Sequence, residues 1–379
     1  MKYVDEFRRS DVARALAQRI HAEVRPDRRY RLMEFCGGHT HAIARYGLTA
    51  LLPGNIELIH GPGCPVCVLP IGRIDSAVRL LKERPAVTLC TYGDVLRVPG
   101  SGGESLYRAR AAGADVRMVY SSADALALAR REPAREVVFF GLGFETTTPP
   151  TAVALLSARA EGLRNFSVYC NHVLTPPAMA HLLQDGGALL DGFLGPSHVS
   201  TVIGAAPYRP IAVRYRKPIV VTGFEPIDVL QAVQMLVRQV NEGRAEIENQ
   251  FTRAVTEQGN QKAQALMAQT LQLRASFEWR GLGRVPRSAL EIRPEFAGWD
   301  AEQRYDLRSR GGADVKACAC GEILRGIKKP SDCKVFASAC TPATPLGACM
   351  VSSEGACAAY YQYGRFLQKE HRATAGAPA

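Results

Sequence analysis

The chain contains no run of about 18 or more apolar residues, which excludes a membrane span readable from hydropathy. Its opening stretch, MKYVDEFRRSDVARALAQRI, is charged throughout and lacks the apolar h-region of a secretory signal, so a cytoplasmic location is expected. There is no GxxxxGK(S/T) phosphate loop. The segment GLGFE falls short of a dinucleotide-binding GxGxxG, because its third glycine is replaced and no ribose-binding acid follows; nucleotide hydrolysis is not expected. Long Lys/Arg blocks and aromatic-interleaved basic stripes are also missing. The formal charge is +11, but the arginines are scattered, as in Arg8, Arg9, Arg28, Arg29, Arg130 and Arg131. That pattern favours an acidic protein partner or a plain solvated surface over nucleic acid.

What is present in quantity is cysteine: eleven in 379 residues. In a chain without an export signal, such cysteines serve more often as metal ligands or redox thiols than as structural disulfides. Cys36, Cys64 and Cys67 come early, six more crowd the C-terminal end, and Cys90 and Cys170 stand alone.

A local pattern recurs along the chain. A short β-branched or apolar run ends in a polar, Gly-rich loop, and a helical pattern follows. RLMEFCGGHTHAIARYG, NIELIHGPGCPVCV before IGRIDSAVRLLKE, ADVRMVYSSADALALARR, REVVFFGLGFETTTPP before TAVALLSARA, FSVYCNHVLTPP before AMAHLLQ and KPIVVTGFEP before IDVLQAVQMLVRQV all fit it. Alternating strands and helices predict an α/β fold with parallel sheets and ligand loops at the C-terminal ends of the strands. Two such α/β domains are expected, over 1–128 and 129–240. Residues 245–272 read as polar helix. The remainder, 241–379, reads as a smaller C-terminal domain held partly by a cofactor, ending in a frayed tail at 371–379.

Cys318, Cys333, Cys340 and Cys357 are separated by 14, 6 and 16 residues, with Pro and Gly between them. Four thiolates suit a cubane iron–sulfur cluster. Zinc also takes four thiolates, but its sites usually show paired close spacings. Unligated buried thiols are the third reading. Six cysteines compete for four places, and Cys320 and Cys349 are the expected spares.

Cys64 and Cys67 form a CxxC between a strand and a helix. A thiolate at a helix N-terminus is stabilised by backbone N–H groups, so the pair suits dithiol–disulfide cycling or metal chelation. A tight turn with incidental cysteines is the plain alternative. Cys36 lies in Glu34-Phe35-Cys36-Gly37-Gly38-His39-Thr40-His41, a soft-metal constellation in which His39 is a candidate base for the thiol. For His41 a capping role is the better reading. Asp94, Glu145, His172 and His198 each follow a strand; Glu145, His172 and His198 are candidates to converge on one cleft, although a cap or satisfied loop group is the better reading of any one alone.

FCGGHTH, HGPGCPVC, TYGD, GFETT and CTPATPLGACMVSSEGACAAYYQYGR together resemble the hydrogenase maturation factor HypD family, across nearly the whole chain. The resemblance implies two related α/β domains and a third carrying a [4Fe-4S] cluster on Cys318, Cys333, Cys340 and Cys357. It implies a scaffold, in complex with the small partner HypC, on which an iron ion acquires two cyanides and one carbon monoxide. The cyanides come from a thiocyanate on the partner HypE, and the Fe(CN)2CO unit passes to the large subunit of a [NiFe] hydrogenase. Cys36 would ligate the transient iron, and Cys64 and Cys67 would be a redox pair. Two other readings compete: a cluster-dependent thiol–disulfide reductase, and a zinc-stabilised interaction protein without redox chemistry.

Overall fold

The computed structural model describes residues 4–184, 189–308, 311–312 and 314–364. The tail expected at 371–379 lies outside the described residues.

Short runs rich in Val, Ile, Leu and Phe form the strands, since such side chains pack well on a pleated surface covered on both faces. They are β1 (Tyr30–Glu34), β2 (Ile56–His60), β3 (Val87–Thr91), β4 (Val116–Met118), β5 (Glu136–Gly143), β6 (Phe166–His172), β7 (Gly192–Gly195), β8 (Ile219–Val221) and β9 (Ile247–Asn249). Two parallel sheets result. One has the order β2-β1-β7-β8-β9, the other β4-β3-β5-β6. Register is set by apolar pairs, Leu32 beside Leu58 and Met33 beside Phe193 in the first, Leu89 beside Val138 and Phe140 beside Tyr169 in the second. The expected α/β class with parallel sheets is therefore observed.

The sheets do not divide at the expected boundaries. The chain starts the first sheet with β1 and β2, builds the whole second sheet, then returns to the first for β7, β8 and β9. A cut between 128 and 129 separates β4 from β5 of one sheet, and a cut after 240 removes β9 from the other. The polar helix read over 245–272 is also corrected. Its first residues are β9, an edge strand paired with β8, and the helix runs only over Gln261–Thr270, capped by the Asn260 side chain. Pairing to a neighbouring strand overrides a weak local helix preference.

After that helix come two antiparallel pairs the sequence left unread. Strands β10 (Leu271–Leu273) and β13 (Leu290–Ile292) pair around the hairpin of β11 (Ser276–Trp279) and β12 (Gly283–Pro286). Gly281 (φ 84°) and Gly283 (φ 74°) supply the left-handed backbone that turns the hairpin. Its buried Trp279 packs on Phe144, with ring centroids 5.9 Å apart, and the Arg280 N–H donates to the Val68 carbonyl at 2.9 Å.

Three apolar cores organise the molecule. One lies outside the first sheet under the helices Ser10–Glu23 and Pro226–Glu242, and one outside the second sheet. The third is continuous between the sheets and extends into the cysteine-rich region, joining Phe35, Cys67, Phe140 and Trp279 to Cys320, Cys349 and Cys357. The C-terminal region thus shares its core with both sheets. Buried charge fastens it further. Arg73, 2% exposed, donates to the Cys170 carbonyl (2.7 Å) and Glu302 (2.9 Å) and stacks over Tyr169, while Arg274 also donates twice to Glu302. Burial alone would raise the Glu302 pKa; the two arginines outweigh it and hold the carboxyl below its ordinary value.

Glu302→Gln leaves buried Arg73 without its counter-charge and leaves partly buried Arg274 only Glu291, 3.9 Å away, and is expected to cost about 3–5 kcal/mol. Urea unfolding followed by circular dichroism measures this; a loss under about 1 kcal/mol, the scale of an exposed pair, would show that the arginines find other acceptors.

Candidate functional site

Parallel strands deliver their following loops to one end of a sheet, and here both sheets direct theirs toward a shared cleft of about 620 Å³. It is lined by Cys36 after β1, Gly63, Pro65 and Val66 after β2, Tyr92 to Asp94 after β3, Phe144, Thr146 and Thr147 after β5 and His198 after β7, with Ser352 to Glu354 closing it from the C-terminal region.

Cys36 caps the helix Gly37–Arg45 in extended conformation and is a free thiol. Burial pushes its pKa up strongly, Glu354 and Glu34 add to this, and the nearby backbone N–H groups of Gly38 and His39 act against it. Gly37 N–H donates to the Gly63 carbonyl at 3.0 Å, and a side chain at Gly63 would collide with the Cys36 backbone. The two cysteine loops therefore touch backbone to backbone, which glycine permits.

Cys64 and Cys67 are joined as a disulfide, with Cα atoms 5.2 Å apart, at the start of the short helix Pro65–Val68. Both are buried behind the cleft wall. On their far side stands Gly355, where a Cβ would lie 3.0 Å from the Cys67 sulfur and collide with the Cys349 carbonyl. The Cys320 thiol is raised well above its ordinary pKa, with the thiols of Cys318, Cys349 and Cys357 among the groups that perturb it. Gly355 thus stands close to both Cys67 and Cys349, and Cys349 in turn is among the thiols that perturb Cys320. The two cysteines expected to be spare, Cys320 and Cys349, belong to this neighbourhood.

The expected ligand set shares this region. The Ala319 N–H donates to the Cys333 sulfur and the Leu346 N–H to the Cys340 sulfur, each at 3.4 Å. Cys340 interacts electrostatically with Cys318 and Cys333, and Cys357 with Cys318. Hydrogen bonding from Cys320 holds the Cys318 thiol down, at about 7. Amide donors aimed at sulfur suit thiolate ligands. Among the described residues no three ligand side chains converge to hold a single ion; a cubane needs no such convergence, because each thiolate binds its own corner iron.

The histidines and acids separate into two groups. Asp94 and His198 line the cleft with Cys36, and His198 lies edge-on to Phe224 at 4.4 Å. Glu145 and His172 do not join them. Glu145 turns inward to accept from the Thr175 N–H (2.9 Å) and hydroxyl (3.0 Å), beside the start of the helix Thr175–Gln184, and His172 Nε2 pairs with the Thr151 hydroxyl at 2.9 Å. His39 is not placed as a base for Cys36. Its Nε2 faces the carbonyls of Thr222 and Gly223 at 3.2 and 3.1 Å, its Nδ1 has no partner, and burial lowers its pKa to about 4. His41 packs against Tyr363. Cys90 and Cys170 are buried under the second sheet, where burial raises their pKa values to about 12 and about 11, as expected of inert core thiols. Glu354 was missed from sequence. It sits inside CMVSSEGAC, and only the tertiary fold turns its carboxylate to Gly37 and Cys36.

Fold and site together define a class: an α/β protein whose inter-sheet cleft presents one free cysteine beside a buried Cys-X-X-Cys disulfide and a six-cysteine C-terminal region. The chain belongs to the HypD family of hydrogenase maturation factors. The family model described as "HypD: Hydrogenase formation hypA family" matches residues 11–364. The chain is 62% identical over 372 residues to "Hydrogenase maturation factor HypD" of Cupriavidus necator, covering 97% of this chain and 98% of that one. It is 63% identical over 373 residues to "Hydrogenase expression/formation protein HupD" of Azotobacter chroococcum (97% and 98%), and 47% identical over 368 residues to "Hydrogenase maturation factor HypD" of Escherichia coli (96% and 98%).

Glu145 gives a pH test of this geometry. Burial raises its carboxyl to about 7, against the pull of the Thr175 donors, whereas an unfolded Glu titrates near ~4.3. A raised folded pKa contributes stability that is complete below ~4.3 and is lost as the pH climbs through about 7. Glu145→Gln is expected to remove this slope, so that the variant gains on the parent as the buffer moves from acidic to mildly alkaline. Urea midpoints across that window decide it; parallel profiles would place the titration elsewhere.

Proposed function

We propose that this chain is a cytoplasmic scaffold on which an iron ion, carried as cargo, receives two cyanides and one carbon monoxide before the Fe(CN)2CO unit moves to a [NiFe] hydrogenase large subunit. Its partners would be a HypC-type small chaperone and a HypE-type cyanide carrier. One observation carries the reading: of the cysteines in the early motifs, Cys36 alone is free and lines the cleft, while Cys64 and Cys67 are buried against its wall. Low-spin iron with strong-field ligands matches a soft thiolate anchor, and a second thiolate from the HypC-type partner would complete the grip.

The dithiol form of Cys64 and Cys67 supplies the electrons for cyanide release. A thiocyanate R–SCN and two thiols give R–SH, HCN and the Cys64–Cys67 disulfide: the S–C bond breaks, an S–S bond forms, and the two thiol protons go to R–S and cyanide. We assign Cys318, Cys333, Cys340 and Cys357 as ligands of a [4Fe-4S] cluster, supported by the N–H donors on two of their sulfurs. When bound, such a cluster would supply electrons singly, from a donor outside the chain, for restoring the dithiol. The reading as a general thiol–disulfide reductase is decided by assaying reduction of generic disulfides by the chain without a HypC-type partner. The no-redox zinc reading is decided by the absorbance, iron and sulfide content of anaerobically purified protein.

Cys36→Ala is expected to keep the fold and the iron–sulfur absorbance while losing the nitrile and carbonyl stretching bands of the complex with a HypC-type partner. Infrared spectroscopy of the co-purified complex checks this; full-intensity bands would place the iron elsewhere. Cys333→Ala or Cys340→Ala is expected to abolish the iron and sulfide content, and Cys320→Ala to leave it largely intact. A Cys333→Ala protein with full iron and sulfide would overturn the ligand set.

A further inference from the structure

The residue beneath Cys36 has no part in the scheme above. Glu34 ends β1 with its carboxylate fully buried; among the described residues its ion-pair partner is His60, and no lysine or arginine faces it. A buried carboxylate held this way is costly and marks a candidate functional position. Its acceptor capacity is spent on three segments. Oε2 accepts from the Cys36 N–H at 3.0 Å. Oε1 accepts from the Thr40 hydroxyl, in the first turns of the helix that Cys36 caps, and faces His60 Nδ1 at 2.9 Å, at the end of β2. The Glu34 carbonyl takes the Gly61 N–H at 2.9 Å, holding the start of the GPGC loop to the same residue. The His60 ring in turn lies edge-on to Tyr360, 5.7 Å away, shortly after Cys357.

We infer that Glu34 is the positioning residue for Cys36: by binding the Cys36 N–H, Thr40 and His60 at once, its carboxylate sets the direction of the Cys36 sulfur into the cleft and ties that direction to the Cys64 loop. The geometry explains why the thiol can be aimed without a side-chain partner of its own. The Cys36 backbone is fixed from below by Glu34 and from the side by Gly63, and its carbonyl accepts the His39 N–H at 2.9 Å from the first turn of the helix. Loss of the Glu34 bond frees the loop at its N–H, and loss of the Thr40 or His60 spoke loosens the carboxylate that holds that N–H, so the sulfur samples directions the native site forbids. This inference adds to the proposed iron-binding role of Cys36, but its first test does not depend on that role.

The test compares Glu34→Gln, Thr40→Val and Thr40→Ser in the isolated full chain, reading Cys36 alkylation by peptide mass with buried Cys90 as the internal reference. Thr40→Val is the cleaner variant, since it removes one spoke and leaves the charge near the thiol unchanged. Each of Glu34→Gln and Thr40→Val is expected to raise the Cys36 rate by roughly tenfold, the factor that one strong hydrogen bond of difference supports, with the Cys90 rate unchanged. Thr40→Ser, which keeps the hydroxyl, is expected to restore the parent rate. A general loosening of the fold would raise both cysteines together and would not be rescued by serine, and that outcome overturns the assignment. So does a Cys36 rate at parent level in a folded Thr40→Val protein. In the HypC-type complex, Glu34→Gln is expected to shift or broaden the nitrile and carbonyl bands while the iron–sulfur absorbance holds. Because alkylation needs no partner and no iron, it decides the role of Glu34 even if iron assembly fails its own test.

Discussion

The backbone of Gly63 lies against the backbone of Cys36 with no space for a side chain between them, and the site follows from that contact. It brings the loop after β2 onto the loop after β1, so that a free thiol and a disulfide from separate motifs become neighbours. The Gly37 N–H bound to the Gly63 carbonyl fixes their relative height. Adjacent parallel strands make such a meeting natural, because their C-terminal loops emerge side by side at one edge of the sheet.

The cysteine-rich region is held to this pair by packing rather than by a linker. Its thiols belong to the same apolar core as both sheets, the hairpin carrying Trp279 supports the loop at Phe144, and Arg280 holds the helix that bears Cys67. A region rich in Pro, Gly and Cys has little apolar surface with which to fold alone. Sharing a core supplies part of what it lacks and also brings Gly355 and the Cys349 backbone up to the CxxC pair. The buried Arg73–Glu302–Arg274 group adds directional constraint on the same interface, since two guanidinium groups and one carboxylate satisfy each other in few arrangements.

The cleft divides its work by burial. Asp94, His198 and Glu354 line its wall beside Cys36, where a partner and its cargo would enter. His39, Glu145 and His172 are turned into the interior and spent on carbonyls and hydroxyls. The same residue types therefore serve in two ways, and accessibility separates them.

The sequence by itself determined the alternation of strands and helices, the position of ligand loops after strands, the cysteine motifs and the family. These are local properties, carried by side-chain periodicity, by glycine and proline punctuation and by the spacing of thiols. It did not reveal that β7, β8 and β9 return to the sheet begun by β1 and β2, because strand order is chosen by crossovers that no single segment encodes. Nor did it show that the His39 imidazole would face the carbonyls of Thr222 and Gly223, 183 and 184 residues away, instead of Cys36. Only the tertiary structure decided that Glu34, given no role of its own in the sequence, would reach His60 from the next strand, and that Glu354 would face Cys36. Hydrogen bonds and burial between residues far apart in the chain exist only once the sheets have closed on each other.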